Sequence, residues 1–74
     1  MPDYPTQEHL DHWFQYHSPD VQQQAKYQCL REGARQFAGL ILEYCPACAD
    51  RIDAIRKVRE AVMIANAAIA CDGR

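Results

Sequence analysis

The sequence lacks the features that mark several common protein classes. No apolar run approaches the roughly 20 residues that a membrane-spanning helix needs, and the N-terminal segment MPDYP has neither the basic nor the apolar region of a signal peptide. Basic residues are not in excess, since eight Lys and Arg stand against ten Asp and Glu, which argues against a general DNA- or RNA-binding protein. We therefore expect a cytoplasmic protein that binds neither a membrane nor bulk nucleic acid.

Catalytic motifs are also missing from the chain. It has no glycine-rich phosphate loop, no two carboxylates at a spacing typical of an acid–base pair and no nucleophile at a spacing that indicates a neighbouring base. His17 and Ser18 are neighbours in the sequence, which does not make a catalytic geometry. The sequence thus predicts a binding protein with no catalytic residues and no cofactor, rather than an enzyme.

The length of the chain sets a further limit. Its 74 residues can form at most one domain, residues 1–74. A chain this short buries only about 60% of its unfolded surface, so it needs a metal, disulfides or association with copies of itself. Disulfide frameworks belong to secreted proteins, so the cysteines are expected to be reduced. The four cysteines are Cys29, Cys45, Cys48 and Cys71.

Apolar periodicity predicts an all-α fold: a short N-terminal helix followed by a long antiparallel αα-hairpin. The three helices are predicted over about residues 7–16, 19–44 and 50–70. Thr6 is expected to cap the first helix, Ser18 the second and Asp50 the third. Pro19 suits the first position of the second helix, because its missing N–H would have no partner there.

Apolar residues recur at alternating spacings of three and four along both long helices. On the second helix they are Tyr27, Leu30, Ala34, Phe37, Ile41 and Tyr44, and on the third they are Ile55, Val58, Val62, Ala65 and Ile69. These residues form a stripe on each helix, and the two facing stripes are called the seam. The third helix carries further apolar residues beside the seam, which predicts a homo-oligomer. Gly33 and Gly39 each cost about 1 kcal/mol of helix propensity, so we expect another helix to approach closely there.

The spacing Cys45-x-x-Cys48 is typical of zinc sites and of redox pairs. His9 and His12 would complete a Cys₂His₂ zinc site, although they precede the cysteines by more than 30 residues. A redox pair would need strands, and none is predicted. We interpret the motif as part of a hairpin turn that binds no metal, with a zinc-stapled helical domain as the alternative.

Aromatic and basic residues meet at the junction of the first two helices. Tyr16 and His17 lie at this junction, and Lys26 and Arg31 follow on one side of the second helix. An aromatic ring can stack on a nucleobase, and a basic group beside it can bind the phosphate. The alternative is a solvated basic face.

A second polar group lies on the third helix. Arg56 has acidic neighbours at helical spacing and can belong to a salt-bridged surface, whereas Arg59 follows a seam residue and would face a cavity shared between chains. Asn66 stands in the apolar run ANAAIA and must find water or a polar partner. It can set the register between chains or bind a ligand.

Five motifs occur in a particular order along residues 12–70. They are Phe14-x-Tyr16-His17-x-Pro19, Tyr27-x-x-x-Arg31, Phe37-Ala38, Cys45-Pro46 and the run AVMIANAAIA at residues 61–70. Their order and spacing resemble those in the small phage proteins of the anti-CBASS hairpin family. The same helical-hairpin domain is also associated with phage proteins that act against Thoeris defence. The closing ANAAIA run and the YHxP junction are the most specific parts of this resemblance.

The resemblance implies a sponge for cyclic oligonucleotides. Such a protein withholds second messengers of bacterial cGAS-like enzymes from their effectors, in the cytoplasm of the infected host cell. The ligands are cyclic dinucleotides such as cGAMP and, in some members, cyclic trinucleotides, which are bound between the protomers of a homohexamer. A helical protein-interaction hairpin, acting as adaptor or inhibitor of a host protein without a nucleotide ligand, is the alternative function.

The resemblance also assigns roles to residues. It implies that Tyr16 stacks on a base, that His17 lies beside it and that Arg31 contacts a phosphate. Lys26 is added to this site by its spacing. Arg56, Arg59 and Asn66 are candidates for a second pocket.

Overall fold

The computed structural model describes residues 4–73, and the remaining residues of the predicted domain lie outside the described part. Three helices form within residues 4–73, namely α1 (Gln7–Trp13), α2 (Val21–Tyr44) and α3 (Ala49–Ala70). Helices α2 and α3 pack together as a hairpin, whereas α1 makes no close backbone approach to either of them within residues 4–73. These findings confirm the all-helical hairpin and the absence of strands across the described chain.

Helix α1 begins where the sequence predicts and ends earlier. The hydroxyl of Thr6 accepts a hydrogen bond from the His9 backbone N–H, and the His9 ring accepts one from the Thr6 N–H, so each residue caps the other. The helix ends at Trp13, and the predicted extension to residue 16 is wrong. The His17 ring donates to the carbonyl of His12, over 2.7 Å, and holds the following segment outside the helix.

Helix α2 begins two residues later than predicted. Its N-cap is Asp20 and not Ser18, because Asp20 and Gln23 form a reciprocal pair. The Asp20 carboxylate accepts from the Gln23 N–H at 2.7 Å, and the Gln23 side chain accepts from the Asp20 N–H at 3.0 Å. This pair satisfies two backbone donors at once, which a serine cap alone cannot do.

The turn between α2 and α3 follows Tyr44. Cys48 and not Asp50 is the N-cap of α3, and its side chain makes no capping hydrogen bond. Asp50 instead lies in the first turn, where its negative charge favours the positive end of the helix dipole. Arg51 donates a hydrogen bond to the carbonyl of Cys45 at 3.4 Å and closes the turn.

The seam between α2 and α3 is apolar, but most of its residues remain partly exposed to solvent. Among residues 4–73 only Ile41 is classed as buried, at 9% exposure. Leu30, Ala34 and Phe37 of α2 line one groove together with Val58 and Val62 of α3, in line with the predicted periodicity. The last predicted seam residue, Tyr44, is 77% exposed, because α2 ends there and α3 has not yet begun. Two helices can cover only one stripe of each other.

The exposed surface is too large for a compact monomer of this size. It measures 6217 Å², whereas a compact protein of 8.5 kDa exposes about 4650 Å². The radius of gyration is 15.8 Å, compared with about 11.3 Å for a compact chain of this length. The hairpin therefore presents a large apolar area that its own residues do not cover. None of the helices in the described chain is long and apolar enough to cross a membrane.

Gly39 provides a test of the hairpin geometry. It follows Glu32 and Arg35 at helical spacings on the polar face of α2, and no atom lies within 4 Å of the Cβ that an alanine would add. We expect Gly39→Ala to stabilise the protein by about 1 kcal/mol, because alanine favours the helix. The thermal midpoint measured by circular dichroism should rise by roughly 4–8 °C. A lower midpoint would show that another chain occupies this position.

Candidate ligand-binding site

Three depressions on the hairpin surface contain the residues of interest. The wide groove, of about 720 Å³, is apolar and lies on one side of the seam, against Gly33, Phe37 and Ala61. The arginine cavity, of about 360 Å³, lies on the other side and is lined by Arg31 of α2 and Arg59 of α3. Both contain the same seam residues, Ala34, Val58 and Val62. The third, the open-end cavity, lies where α2 begins and α3 ends.

The arginine cavity carries positive charge that is not neutralised within the described chain. Arg35 also lines it but is paired with Glu32, with a nitrogen–oxygen distance of 2.6 Å. The hydrogen bond from Arg35, and then its charge, lower the pKa of Glu32, and the same contact raises the pKa of Arg35. No carboxylate among residues 4–73 pairs with Arg31 or Arg59. Arg31 and Arg59 line this largely apolar cavity from two helices, and their exposed guanidinium groups are available to an anion.

Asn66 adds an unsatisfied acceptor on the same face of α3. It follows Arg59 by seven residues, which is two helical turns, and it is half-buried. Its Oδ1 is buried and has no hydrogen-bond partner among the described residues. An unpaired buried polar atom costs about 1–3 kcal/mol. Asn66 is therefore suited to accept an N–H from a ligand or from another copy of the chain.

The open-end cavity contains Lys26 but is not basic overall. Its volume is about 360 Å³, and the carboxylates of Asp20 and Asp72 line it together with Lys26. The Gln23 side chain donates to the carbonyl of Ile69 at 3.2 Å and ties the two helix ends together. With two carboxylates beside one ammonium group, this cavity suits the polar edges of a nucleoside better than a phosphate.

Lys26 and Arg31 do not lie on one side of α2, which corrects the sequence prediction. Lys26 lines the open-end cavity, and Arg31 lines the arginine cavity. Five helical residues rotate by about 500°, which leaves the two side chains about 140° apart around the axis. The structure instead brings Arg31 together with Arg59, which the sequence had placed in a different pocket.

Tyr16 and His17 lie in the segment between α1 and α2 and face different surroundings. Tyr16 is 82% exposed, so its ring is free to stack on a base. It precedes Asp20 of the open-end cavity by four residues, which is at most about 14 Å of chain. His17 is half-buried against His12, with ring centroids 4.6 Å apart, and so positions the segment rather than presenting its ring to solvent.

Arg56 is exposed and lines none of these three depressions. Its neighbour Lys57 pairs with Glu60 at 3.6 Å, in line with the predicted salt-bridged surface. Exposed pairs of this kind contribute little stability. Within one chain, Arg56 is thus separate from the other candidate residues.

The comparisons with known proteins decide the family. Residues 6–70 match the family described as Acb2/Tad1, hairpin domain. The chain belongs to the Acb2/Tad1 hairpin-domain family. Its members are sponge-type binding proteins that act against CBASS and Thoeris defence, and the family is not known for enzymes. No curated protein and no solved structure matches the chain. The family resemblance found in the sequence is confirmed.

The Cys₂His₂ grouping considered from the sequence does not form in this Acb2/Tad1 hairpin. Cys45 and Cys48 are exposed in the turn between α2 and α3. His9 caps α1 with Thr6 and packs against Tyr4, with ring centroids 4.8 Å apart. Neither cysteine belongs to a group of three metal-ligating side chains within residues 4–73.

Glu32→Gln tests the electrostatics of the arginine cavity. The substitution removes the partner of Arg35 and adds a third unpaired guanidinium, so pyrophosphate should bind up to about fivefold more tightly. NMR titration with inorganic pyrophosphate measures this change. Glu60→Gln is the matched control, because it frees Lys57 of the other groove and should leave the Arg31 and Arg59 resonances unchanged. If Glu32→Gln and Glu60→Gln changed the pyrophosphate affinity equally, the anion would bind nonspecifically to the basic surface and not in the arginine cavity.

Proposed function

We propose that this protein is a phage anti-defence sponge that binds and sequesters cyclic di- and trinucleotide second messengers of CBASS immunity, without hydrolysing them. The match of residues 6–70 to the Acb2/Tad1 hairpin domain supports this proposal most directly. The site of action is the cytoplasm of the infected bacterial cell. A sponge works by mass action and needs binding, not chemistry, which suits a chain without catalytic motifs.

The arginine cavity is the proposed phosphate site. Cyclic dinucleotides such as cGAMP carry two phosphodiester charges on a compact ring. Arg31 and Arg59 come from different helices and can each form paired hydrogen bonds to phosphate oxygens. Val58 and Val62 line the same cavity and provide an apolar surface beside the phosphate site. Asn66, two helical turns after Arg59, adds an acceptor without a partner in the described chain to the same face of α3 and is the proposed contact for a base.

The open-end cavity is the proposed second contact surface. Tyr16 stacks on a nucleobase from the segment before α2, and Lys26 binds the polar edge of the nucleoside. His17 keeps this segment in place through its contact with His12. Arg56 joins a ligand site only where another copy of the chain brings it there.

The proposed active form is a homohexamer. The excess of exposed surface over that of a compact monomer, about 1500 Å² by the scaling of accessible area with mass, provides each chain with enough area for a stable interface. Residues such as Val21, Met63 and Ile64 are more than half exposed in the single chain. Ligand pockets between protomers would enclose both faces of a cyclic nucleotide.

Native mass spectrometry with a panel of cyclic di- and trinucleotides tests the proposal. We expect a hexamer that gains whole ligands, with the nucleotide recovered intact after denaturation. Arg31→Ala should weaken binding roughly 10- to 100-fold by removing a charged hydrogen-bond donor, while the hexamer persists. Lys57→Ala is the control, because it removes the same charge from a lysine that is already paired with Glu60.

The alternative function is distinguished in the same experiment. The sponge hypothesis would be rejected if the protein formed a discrete oligomer that bound no nucleotide from the panel. Such an oligomer would favour a helical protein-interaction hairpin that holds a host protein in its wide groove. The arginine cavity would be rejected as the phosphate site if Arg31→Ala and Lys57→Ala had the same nucleotide affinity. Recovery of linearised nucleotide would contradict sequestration without hydrolysis.

Gly33 tests whether copies of the chain meet in the wide groove. An added Cβ has open space in the single chain, as at Gly39, but Gly33 lines the groove. Gly33→Ala should therefore gain helix propensity and yet weaken the assembly, because overpacking an interface costs about 1–3 kcal/mol. Sedimentation velocity at decreasing concentration measures dissociation, with Gly39→Ala as the matched control. Identical dissociation of the two variants would place the interface elsewhere.

A further inference from the structure

Two histidines and a cysteine meet where α1, the following segment and the end of α3 come together. His12 belongs to α1, His17 to the segment after it, and Cys71 is the C-cap of α3. One ring nitrogen of each histidine and the Sγ of Cys71 lie within 4.8 Å of one another. All three residues are at least partly buried. This cluster is separate from the Cys45-x-x-Cys48 turn and from the proposed nucleotide contacts of Arg31 and Arg59.

The hydrogen bonds of the two histidines define which ring nitrogen carries the proton. The Nε2 of His12 donates to the Cys71 carbonyl at 2.9 Å, and the Nε2 of His17 donates to the His12 carbonyl at 2.7 Å. A carbonyl oxygen can only accept, so each Nε2 is protonated when it makes this bond. In a neutral ring the lone pair is then on Nδ1. Metal-bound histidines typically have this arrangement, in which the second ring nitrogen donates to a carbonyl or carboxylate.

The end of α3 holds Cys71 in a defined position. The N–H of Gly73 donates to the carbonyl of Ala68 at 3.0 Å, and the N–H of Asp72 donates to the carbonyl of Ile69 at 3.2 Å. Asp72 has a positive φ of 55°, so these bonds form a Schellman motif. The backbone that carries the thiol is therefore fixed before any ligand binds.

We propose that His12, His17 and Cys71 bind a zinc ion, with water as the fourth ligand. Histidine nitrogen and cysteine thiolate are both preferred ligands of Zn²⁺, and three protein ligands plus water is the usual arrangement of its open sites. Bond lengths of about 2.0–2.3 Å place tetrahedral ligands roughly 3.5 Å apart, so closure from the observed spacing needs shifts of about 1 Å. The Cys71 thiol releases its proton to solvent on binding.

The metal would fasten α1 to the hairpin. Helix α1 has no backbone packing on α2 or α3 in the described chain, and the His12 bond to Cys71 spans this gap. A bound ion adds three strong bonds at the same junction. It also restrains the segment that bears Tyr16. The site does not depend on nucleotide binding, so its test is independent of the proposed function.

Titration of the chelator-treated full chain with Co²⁺ alone tests the site. We expect one equivalent to bind, with the near-ultraviolet thiolate-to-cobalt band, and Zn²⁺ to displace it. Cys71→Ser should lose the band and at least tenfold in affinity. The fold should persist in this variant, because His12 bonds to the backbone carbonyl of residue 71 and not to its side chain. Circular dichroism checks this point.

The other cysteines supply the matched control. A variant with Cys29→Ser, Cys45→Ser and Cys48→Ser keeps the proposed ligands and should bind Co²⁺ as the parent chain does. His17→Asn should weaken binding roughly 10- to 100-fold and keep a residual thiolate band. Loss of the band in the triple variant, its persistence in Cys71→Ser, or the absence of stoichiometric binding by the parent chain would each overturn the proposal.

Discussion

The structure depends on the limited area that two helices can bury against each other. The seam of α2 and α3 joins them along a single stripe, and within residues 4–73 even the most deeply buried core residue, Ile41, retains 9% exposure. Each residue that is fixed in a helix loses about 1–2 kcal/mol of backbone entropy, so this seam alone is a weak source of stability. The apolar surface that remains must be covered by something else. That need connects the fold to function, because surfaces that require partners also create pockets between them.

The ends of the hairpin are held by polar contacts rather than by packing. Asp20 and Gln23 cap α2, and Gln23 also reaches the carbonyl of Ile69 at the end of α3. His12 and His17 use their ring nitrogens on backbone carbonyls at the same end. Side chains thus satisfy backbone groups that the helix ends leave without partners. Polar contacts therefore hold the open end of the hairpin, and the N-terminal segment attaches there through His12.

The two proposed contact surfaces differ in charge for a structural reason. Glu32 neutralises Arg35 across one helical turn, whereas Arg31 and Arg59, which also line the arginine cavity, pair with no carboxylate within residues 4–73. Asp20 and Asp72 offset Lys26 in the open-end cavity. A chain of net charge −2 can therefore offer a local anion site without attracting nucleic acid over its whole surface. This division suits a compact, doubly charged ligand better than a long polyanion.

The sequence by itself determined the helical class, the hairpin and the family, because periodicity and the order of short motifs are local properties. It also located the cap at Thr6, since a hydroxyl three residues before His9 is a local signal. It missed Asp20 as a cap, although Asp20-x-x-Gln23 was readable, because Ser18-Pro19 is a competing start signal. The separation of Lys26 from Arg31 was also readable from their five-residue spacing on a helix, but only the tertiary structure decided that Arg31 lies beside Arg59 and that Cys71 lies beside His12 and His17. Those two groupings join residues up to 59 positions apart, and they form because separate helices pack against each other, which spacing along the chain does not reveal.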